Sequence, residues 1–154
     1  RQPALGGTCL NWGCIPTKAL LEHAHALKIA QDAKEWGITL GDAKPGIDMA
    51  RVNARRTKVV TGLTKGVEFL FKKNKIDWVK GSARLMGGGR IDVTGESPAT
   101  LKAKEIIVAT GSSARSVPGI TIDRTHIITS DEAIGLTAVP KSLAIMGSGA
   151  VGVE

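Results

Sequence analysis

Tyrosine is absent from this sequence of 154 residues, and its other aromatic side chains are only three Trp and two Phe. Such a set is too sparse for the stacked aromatic platforms that hold single-stranded nucleic acid. The balance of 21 Lys and Arg against 14 Asp and Glu, a formal net charge of +7, raises nucleic acid as a partner. The basic residues are scattered, however, with local concentrations at Arg51, Arg55, Arg56 and Lys58 and at Lys72, Lys73 and Lys75. They read as solvated helix faces, or as a basic cleft for cofactor phosphates, and no nucleic-acid partner is expected. No stretch reaches the roughly 18 consecutive apolar residues of a membrane span. The opening Arg1-Gln2-Pro3-Ala4-Leu5-Gly6-Gly7 has no apolar core and does not read as a signal peptide. Cysteine is scarce as well, with only Cys9 and Cys14, so a disulfide-stapled scaffold is excluded. No second Cys pair or well-spaced His pair completes four zinc ligands, and no metal is expected. His23 and His25 face different sides of a helix, His126 is isolated, and all three read as structural or surface residues. Two cysteines without an export signal suggest a reducing compartment, where a close pair is more often catalytic or metal-binding than structural.

What is present is a globular composition, 42% hydrophobic and 23% charged, with 19 glycines. Glycine usage is well above the ordinary share of about 7%. It gathers at Gly6-Gly7, Gly87 to Gly89, Gly111 and Gly147 to Gly152, which points to turns and to backbone approaching a ligand. Leu20, Leu21, Ala24, Leu27, Ala30 and Ala33 form a helical apolar stripe, predicting one long helix over residues 8–34 that ends at Gly37. Met49, Val52, Val59, Val60, Leu63, Val67, Leu70 and Phe71 predict a second helix over residues 48–73, with Asp48 as its N-cap.

Short β-type runs follow at Ile76 to Val79, Ala83 to Met86, Arg90 to Thr94 and Thr100 to Lys102, with Gly87-Gly88-Gly89 as a hairpin tip. Glu105 to Ala109 and Ser142 to Met146 are near-continuous apolar runs, expected of strands buried on both faces. Between them the pattern predicts a short strand near Ile127-Ile128 and a short helix at Asp131 to Leu136. Both ends read as interrupted, because a βαβ dinucleotide unit needs about 30 residues and only its opening follows Ser142.

The sharpest feature is Gly7-Thr8-Cys9-Leu10-Asn11-Trp12-Gly13-Cys14-Ile15-Pro16-Thr17-Lys18. In a regular helix two residues five apart have Cα atoms ~8–9 Å apart, whereas a disulfide wants roughly 4.4–6.8 Å. A bridge here would distort the first helical turns, and Gly13 would help to absorb the distortion. At a helix N-terminus either thiolate would be favoured by the dipole, with a lowered pKa. The spacing by itself leaves two readings open, a labile redox pair and two inert reduced thiols.

The stretch GGTCLNWGCIPTK resembles the redox-active disulfide signature of the pyridine nucleotide-disulfide oxidoreductases. Leu10 and Ile15-Pro16-Thr17-Lys18 resemble the dihydrolipoamide-oxidising members, whereas glutathione and mercuric reductases more usually have Val after the first Cys and Val-Pro after the second. Ile107-Val108-Ala109-Thr110-Gly111-Ser112 resembles the family's second flavin-binding stretch, although Ser113 departs from the acidic or small residue expected there. Gly147-x-Gly149-x-x-Gly152, directly after an apolar run, is similar to the family's NAD-binding fingerprint. The acidic residue that separates NAD from NADP would lie beyond residue 154.

The resemblance covers essentially the whole chain and implies an α/β fold. Residues 1–141 would be a partial FAD-binding Rossmann-like domain with an inserted antiparallel β-meander. Residues 142–154 would be the first strand and turn of an NAD-binding domain. It implies FAD and NAD as cofactors, oxidation of dihydrolipoamide, a homodimer, and the lipoyl domain of a 2-oxo acid dehydrogenase complex as partner. The location implied is the bacterial cytoplasm or the mitochondrial matrix.

By the same resemblance Cys9 would be the interchange thiol and Cys14 the thiol beside the flavin. Gly7, Thr8, Gly81, Ala83, Thr110, Gly111 and Ser112 would line the FAD site. Gly147, Gly149 and Gly152 would take the NAD pyrophosphate. Lys18 and Glu154 would form an ion pair near the reactive flavin nitrogen, holding a cation where negative charge builds. The family's catalytic His and its Glu partner belong to a C-terminal domain that this stretch does not contain. The alternatives are another member of the family, and a flavin-free thiol-redox or metal-sensing module.

Overall fold

The computed structural model describes residues 4–154, so the reading of Arg1 to Pro3 lies outside the described residues. The chain runs through α1 (Gly7–Trp12), α2 (Cys14–Gln31), α3 (Met49–Lys73), β1 (Ser82–Gly87), β2 (Arg90–Thr94), β3 (Ala99–Lys102), α4 (Ser130–Ala133) and α5 (Ala150–Val153). It is an α/β arrangement of two groups, with α1, α2 and α3 packed on one another and β1, β2 and β3 paired in a meander.

The single long helix expected over residues 8–34 is broken at Gly13, which leaves the helical region with φ −130° and ψ −116°. Helix α2 restarts immediately. Its third residue, Pro16, sits in the first turn, where no intrahelical donor is lost, and is fully buried. The Gly13 carbonyl accepts from the Thr17 amide at 3.2 Å and from Thr17 Oγ1 at 2.8 Å, anchoring the restart. Helix α3 begins where the pattern places it, with Asp48 Oδ1 accepting from the amides of Ala50 at 2.9 Å and Arg51 at 3.2 Å. Leu5, Pro16, Ala19, Ala33 and Val52 form the buried core of the helical group.

The meander forms with β1 antiparallel to β2 and β2 antiparallel to β3, Ala83 facing Val93 and Val93 facing Ala99. Gly87, Gly88 and Gly89 turn the first hairpin, all with positive φ between 57° and 85°, a conformation closed to most side chains. The expected strand at Ile76 to Val79 is not formed, nor is the one near Ile127-Ile128. The runs Glu105 to Ala109 and Ser142 to Met146 are neither strands nor buried: Ile107 is 91% exposed and Met146 70% exposed. A buried parallel strand needs a hydrogen-bonded neighbour, and none of the described residues supplies one. Among the described residues no helix is long and apolar enough to cross a membrane.

The segment from Asp123 to α4 is held by local side-chain bonds. Asp123 Oδ1 accepts from the amides of Thr125 at 2.7 Å, His126 at 2.8 Å and Ile127 at 2.9 Å. These three donors, Ile127's foremost, lower the carboxyl pKa from 3.8 to about 2. Thr129 and Glu132 then form a reciprocal capping box at the start of α4.

Because the folded-state pKa of Asp123 lies below its unfolded value, its contribution is fully present above pH 3.8 and is lost as pH falls through about 2. Hydrogen exchange at Thr125, His126 and Ile127 should therefore quicken several-fold on acidification into that range. Asp123→Ala should show the same loosening at pH 7, and unchanged exchange in the variant would refute the clamp.

Candidate active site

The break between α1 and α2 brings the two cysteines together. A Cβ placed on Gly13 would lie 2.9 Å from the Thr8 carbonyl oxygen and 3.2 Å from Cys9 Cα. With only hydrogen at this position, the start of α2 folds back against the turn that carries Cys9. Both cysteines are free and lie at the surface. The neighbouring Cys14 thiol, as a hydrogen-bond partner, is the first cause of a raised Cys9 pKa. A small loss of solvation and the charge of Cys14 raise it further, while the amides of Cys14 and Ile15 act in the opposite sense. The expectation that the helix terminus would lower the pKa of either thiol is thus reversed for Cys9, because its nearest neighbour is an ionisable sulfur. The two thiols form a coupled pair.

Around this pair the structure gathers segments that are far apart in sequence. Gly111, with φ +84°, passes close enough to α1 that a Cβ on it would stand 3.5 Å from Thr8 Oγ1. The Thr110-Gly111-Ser112 stretch therefore runs beside the first turn of the cysteine segment, where Gly7 begins α1 with φ +59°. Lys18, one turn beyond Cys14 on α2, is ion-paired with Glu154 Oε1, which returns from the far end of the chain. The pair is partly exposed, the side chains of Lys18 and Glu154 being 54% and 34% accessible. As a surface pair it is worth at most about 1 kcal/mol to folding.

The Gly147 to Gly152 turn is compact. A Cβ on Gly152 would overlap the Gly147 carbonyl oxygen at 2.2 Å, whereas Gly147 and Gly149 have open space at the same distance range. The third glycine of the motif thus serves close packing and the first two leave room for a ligand. Gly81 has a packing reason of its own, since its Cβ would meet the Thr94 carbonyl oxygen at 2.2 Å. Ala83 is held in the sheet opposite Val93. Neither residue is joined to the cysteine pair in the way that Thr8 and Gly111 are joined.

Some positions were missed from the sequence. Asn11, between the cysteines, donates through Nδ2 to the carbonyls of Leu5 at 2.9 Å and Gly7 at 3.0 Å, tying the incoming chain to α1. Its i−4 spacing from Gly7 was the available signal. Asn53 donates to the Leu136 carbonyl at 2.9 Å and Arg56 to that of Ile134, and their distant partners left no trace in the pattern. No group of three or more His, Cys, Asp or Glu side chains capable of holding a metal occurs among the described residues.

Comparison with known proteins places this geometry. The chain is 47% identical to dihydrolipoyl dehydrogenase 3 of Pseudomonas putida, over 99% of this chain and 33% of that protein. It is 42% identical to leghemoglobin reductase of Vigna unguiculata, over 100% of this chain and 30% of that protein. It is also 42% identical to mitochondrial dihydrolipoyl dehydrogenase of Pisum sativum, over 100% and 31%. The chain thus spans about a third of the length of the curated relatives it matches. Its fold superposes on the crystal structure of LpdA from Mycobacterium tuberculosis with a TM-score of 0.77 at 20% identity, covering 90% of this chain and 31% of that one. The model of the pyridine nucleotide-disulphide oxidoreductases matches residues 4–154, and the chain belongs to that family.

Proposed function

We propose that the chain is the cysteine-bearing part of a flavin-dependent disulfide oxidoreductase that oxidises dihydrolipoamide and reduces NAD. The observation that carries this reading is the pair of surface thiols that the Gly13 break sets beside each other. The resemblance to dihydrolipoyl dehydrogenases at 42–47% identity supports the substrate. Residues 1–141 would be the cysteine-bearing part of an FAD-binding Rossmann-like domain, and residues 142–154 the opening of an NAD-binding domain.

The cysteines would work by thiol–disulfide exchange. In the oxidised enzyme Cys9 and Cys14 are bridged. One thiolate of the substrate attacks Cys9 Sγ, the Cys9–Cys14 bond breaks, and Cys14 leaves as a thiolate. The second substrate thiolate attacks the sulfur joined to Cys9, forming the substrate disulfide and releasing Cys9. Two electrons have moved from substrate to enzyme and the disulfide bond from enzyme to substrate, leaving Cys9 and Cys14 as a dithiol. FAD, when bound, supplies the two-electron acceptor that restores the bridge, and NAD the hydride acceptor that follows it.

The residues present fit these groups. Gly111, which approaches Thr8 in the turn that carries Cys9, and the flanking Thr110 and Ser112 would hold the flavin close to the sulfurs. Gly147 and Gly149 have the open space a pyrophosphate requires. Lys18, its charge fixed by Glu154, would favour negative charge developing beside Cys14. The family resemblance drawn from the sequence further implies a lipoyl domain of a 2-oxo acid dehydrogenase complex as partner, a homodimer, and a bacterial cytoplasmic or mitochondrial-matrix location.

The full-length protein, purified without added cofactor, should be yellow with flavin absorbance and should reduce NAD with dihydrolipoamide. A colourless protein would overturn the flavoenzyme reading. A yellow protein that is inert to dihydrolipoamide but active on glutathione disulfide or mercuric ion would move it to another branch of the family.

A further inference from the structure

Helix α1 carries Cys9 and is only six residues long, from Gly7 to Trp12. A helix of that length is far below the ~12–15 residues at which one begins to hold itself in water. It has no side-chain cap, since its N-cap is Gly6. The backbone bonds at its start are long, the Gly7 amide to the Ala4 carbonyl at 3.5 Å and the Leu10 amide to the Gly6 carbonyl at 3.4 Å. Other contacts must therefore fix where Cys9 stands.

Asn11, two residues past Cys9, supplies one of them. Its Nδ2 donates to the Leu5 carbonyl at 2.9 Å and to the Gly7 carbonyl at 3.0 Å. A side-chain amide nitrogen carries two hydrogens, so each carbonyl can take one. The bond to Leu5 closes a ring of chain from Leu5 to Asn11, and Cys9 lies within it. Leu5 is itself buried in the core of the helical group, so the ring is fastened to a fixed point. Thr17 has the corresponding place for the other sulfur, its amide and Oγ1 both donating to the Gly13 carbonyl just before Cys14. Each of these side-chain bonds joins residues no more than six apart, so all of them belong to the cysteine segment itself.

We propose that Asn11 is a positioning residue for the dithiol, holding α1 so that Cys9 stays beside Cys14 and within reach of disulfide closure. It acts through the backbone of α1. A leucine in its place would match its size but donate nothing, leaving α1 free to shift against α2. The proposal rests on the reading above of the two cysteines as a redox pair.

The test uses the full-length holoenzyme with Asn11→Leu and Asn11→Gln. In the reduced enzyme, closure of the dithiol under diamide should be about tenfold slower in Asn11→Leu, short of the roughly hundredfold that a full 1 Å displacement can cost. The kcat for dihydrolipoamide should fall by a similar factor with KM held to within about twofold, as for a loss felt in the reaction and not in binding. The pH profile for alkylation of Cys9 should also move to lower pH, because Cys14, the chief group raising the Cys9 pKa, no longer stands as close. A defect of folding alone would lower the amount of active enzyme and leave that profile where it was. Asn11→Gln keeps the amide on a longer stem and should recover part of the closure rate, which keeps the proposal open to test where Leu impairs folding. A closure rate and alkylation profile equal to wild type in Asn11→Leu, or an Asn11→Gln variant no better than Leu, would overturn it. A wild-type dithiol that diamide fails to close would instead remove the redox reading on which the proposal rests, before any variant is made.

Discussion

Cys14→Ala in the full-length protein should abolish turnover of dihydrolipoamide, by three orders of magnitude or roughly more, as expected when one of two covalent participants is removed. Cys9→Ala should do the same, because an exchange that ends in a bridge needs both sulfurs. The Cys14 variant carries a second signature that a folding defect would not produce. The Cys9 pKa is raised chiefly by the Cys14 thiol as a hydrogen-bond partner, then by a small loss of solvation and by the charge of Cys14. Deleting the Cys14 sulfur removes the first and third of these and leaves the opposing amides of Cys14 and Ile15 in place. The pH profile for alkylation of Cys9 should therefore move to lower pH in Cys14→Ala. A profile that stays where it was, or moves upward, would show that the thiols are not coupled.

The second large effect is expected at Gly13. Alanine there would press its Cβ to 2.9 Å from the Thr8 carbonyl oxygen, 3.2 Å from Cys9 Cα and 3.3 Å from the Thr8 carbonyl carbon. All three are backbone atoms, so no side chain can swing aside and α1 must separate from the start of α2. Overpacking of this kind costs about 1–3 kcal/mol. The functional loss should be larger than the stability loss, because a shift of even 1 Å at a reacting pair can cost about a hundredfold in rate. Gly13→Ala should thus remain folded by thermal melting while its dithiol closes to a disulfide far more slowly under a mild oxidant such as diamide. Closure at the wild-type rate would mean that the close approach at Gly13 does not set the spacing of the sulfurs.

These two variants also mark how far sequence reasoning reached. The six residues spanning Cys9 to Cys14, with Gly13 inside, showed that a bridge would distort the helix start, but the helical period ran on through them and did not reveal the break at Gly13. Residue chemistry and helical period located α3, its Asp48 cap and the Gly87 to Gly89 hairpin, all of which are decided by neighbours within a few residues. The direction of the Cys9 shift was not legible. Dipole and partner thiol push in opposite senses, and only the placement of Cys14 beside Cys9 decides which prevails.

The apolar runs at Glu105 to Ala109 and Ser142 to Met146 teach the converse. Their composition is that of buried strands, yet they lie unpaired and exposed. Hydrophobic pattern records what a segment would bury, whereas a strand exists only when another strand satisfies its backbone.

The sequence by itself determined the local chemistry of this protein: a dithiol with a glycine hinge, a lysine one turn later, and two glycine-rich turns following apolar runs. Only the tertiary structure decided which of these meet. Thr8 and Gly111 are about a hundred residues apart and Lys18 and Glu154 are separated by 136, distances over which side-chain periodicity carries no information. Each junction depends on how distant segments pack around α1 and α2. Chain connectivity restricts such long-range contacts only weakly, because closing a longer loop costs little more than closing a short one. Packing and specific hydrogen bonds therefore have to choose among them.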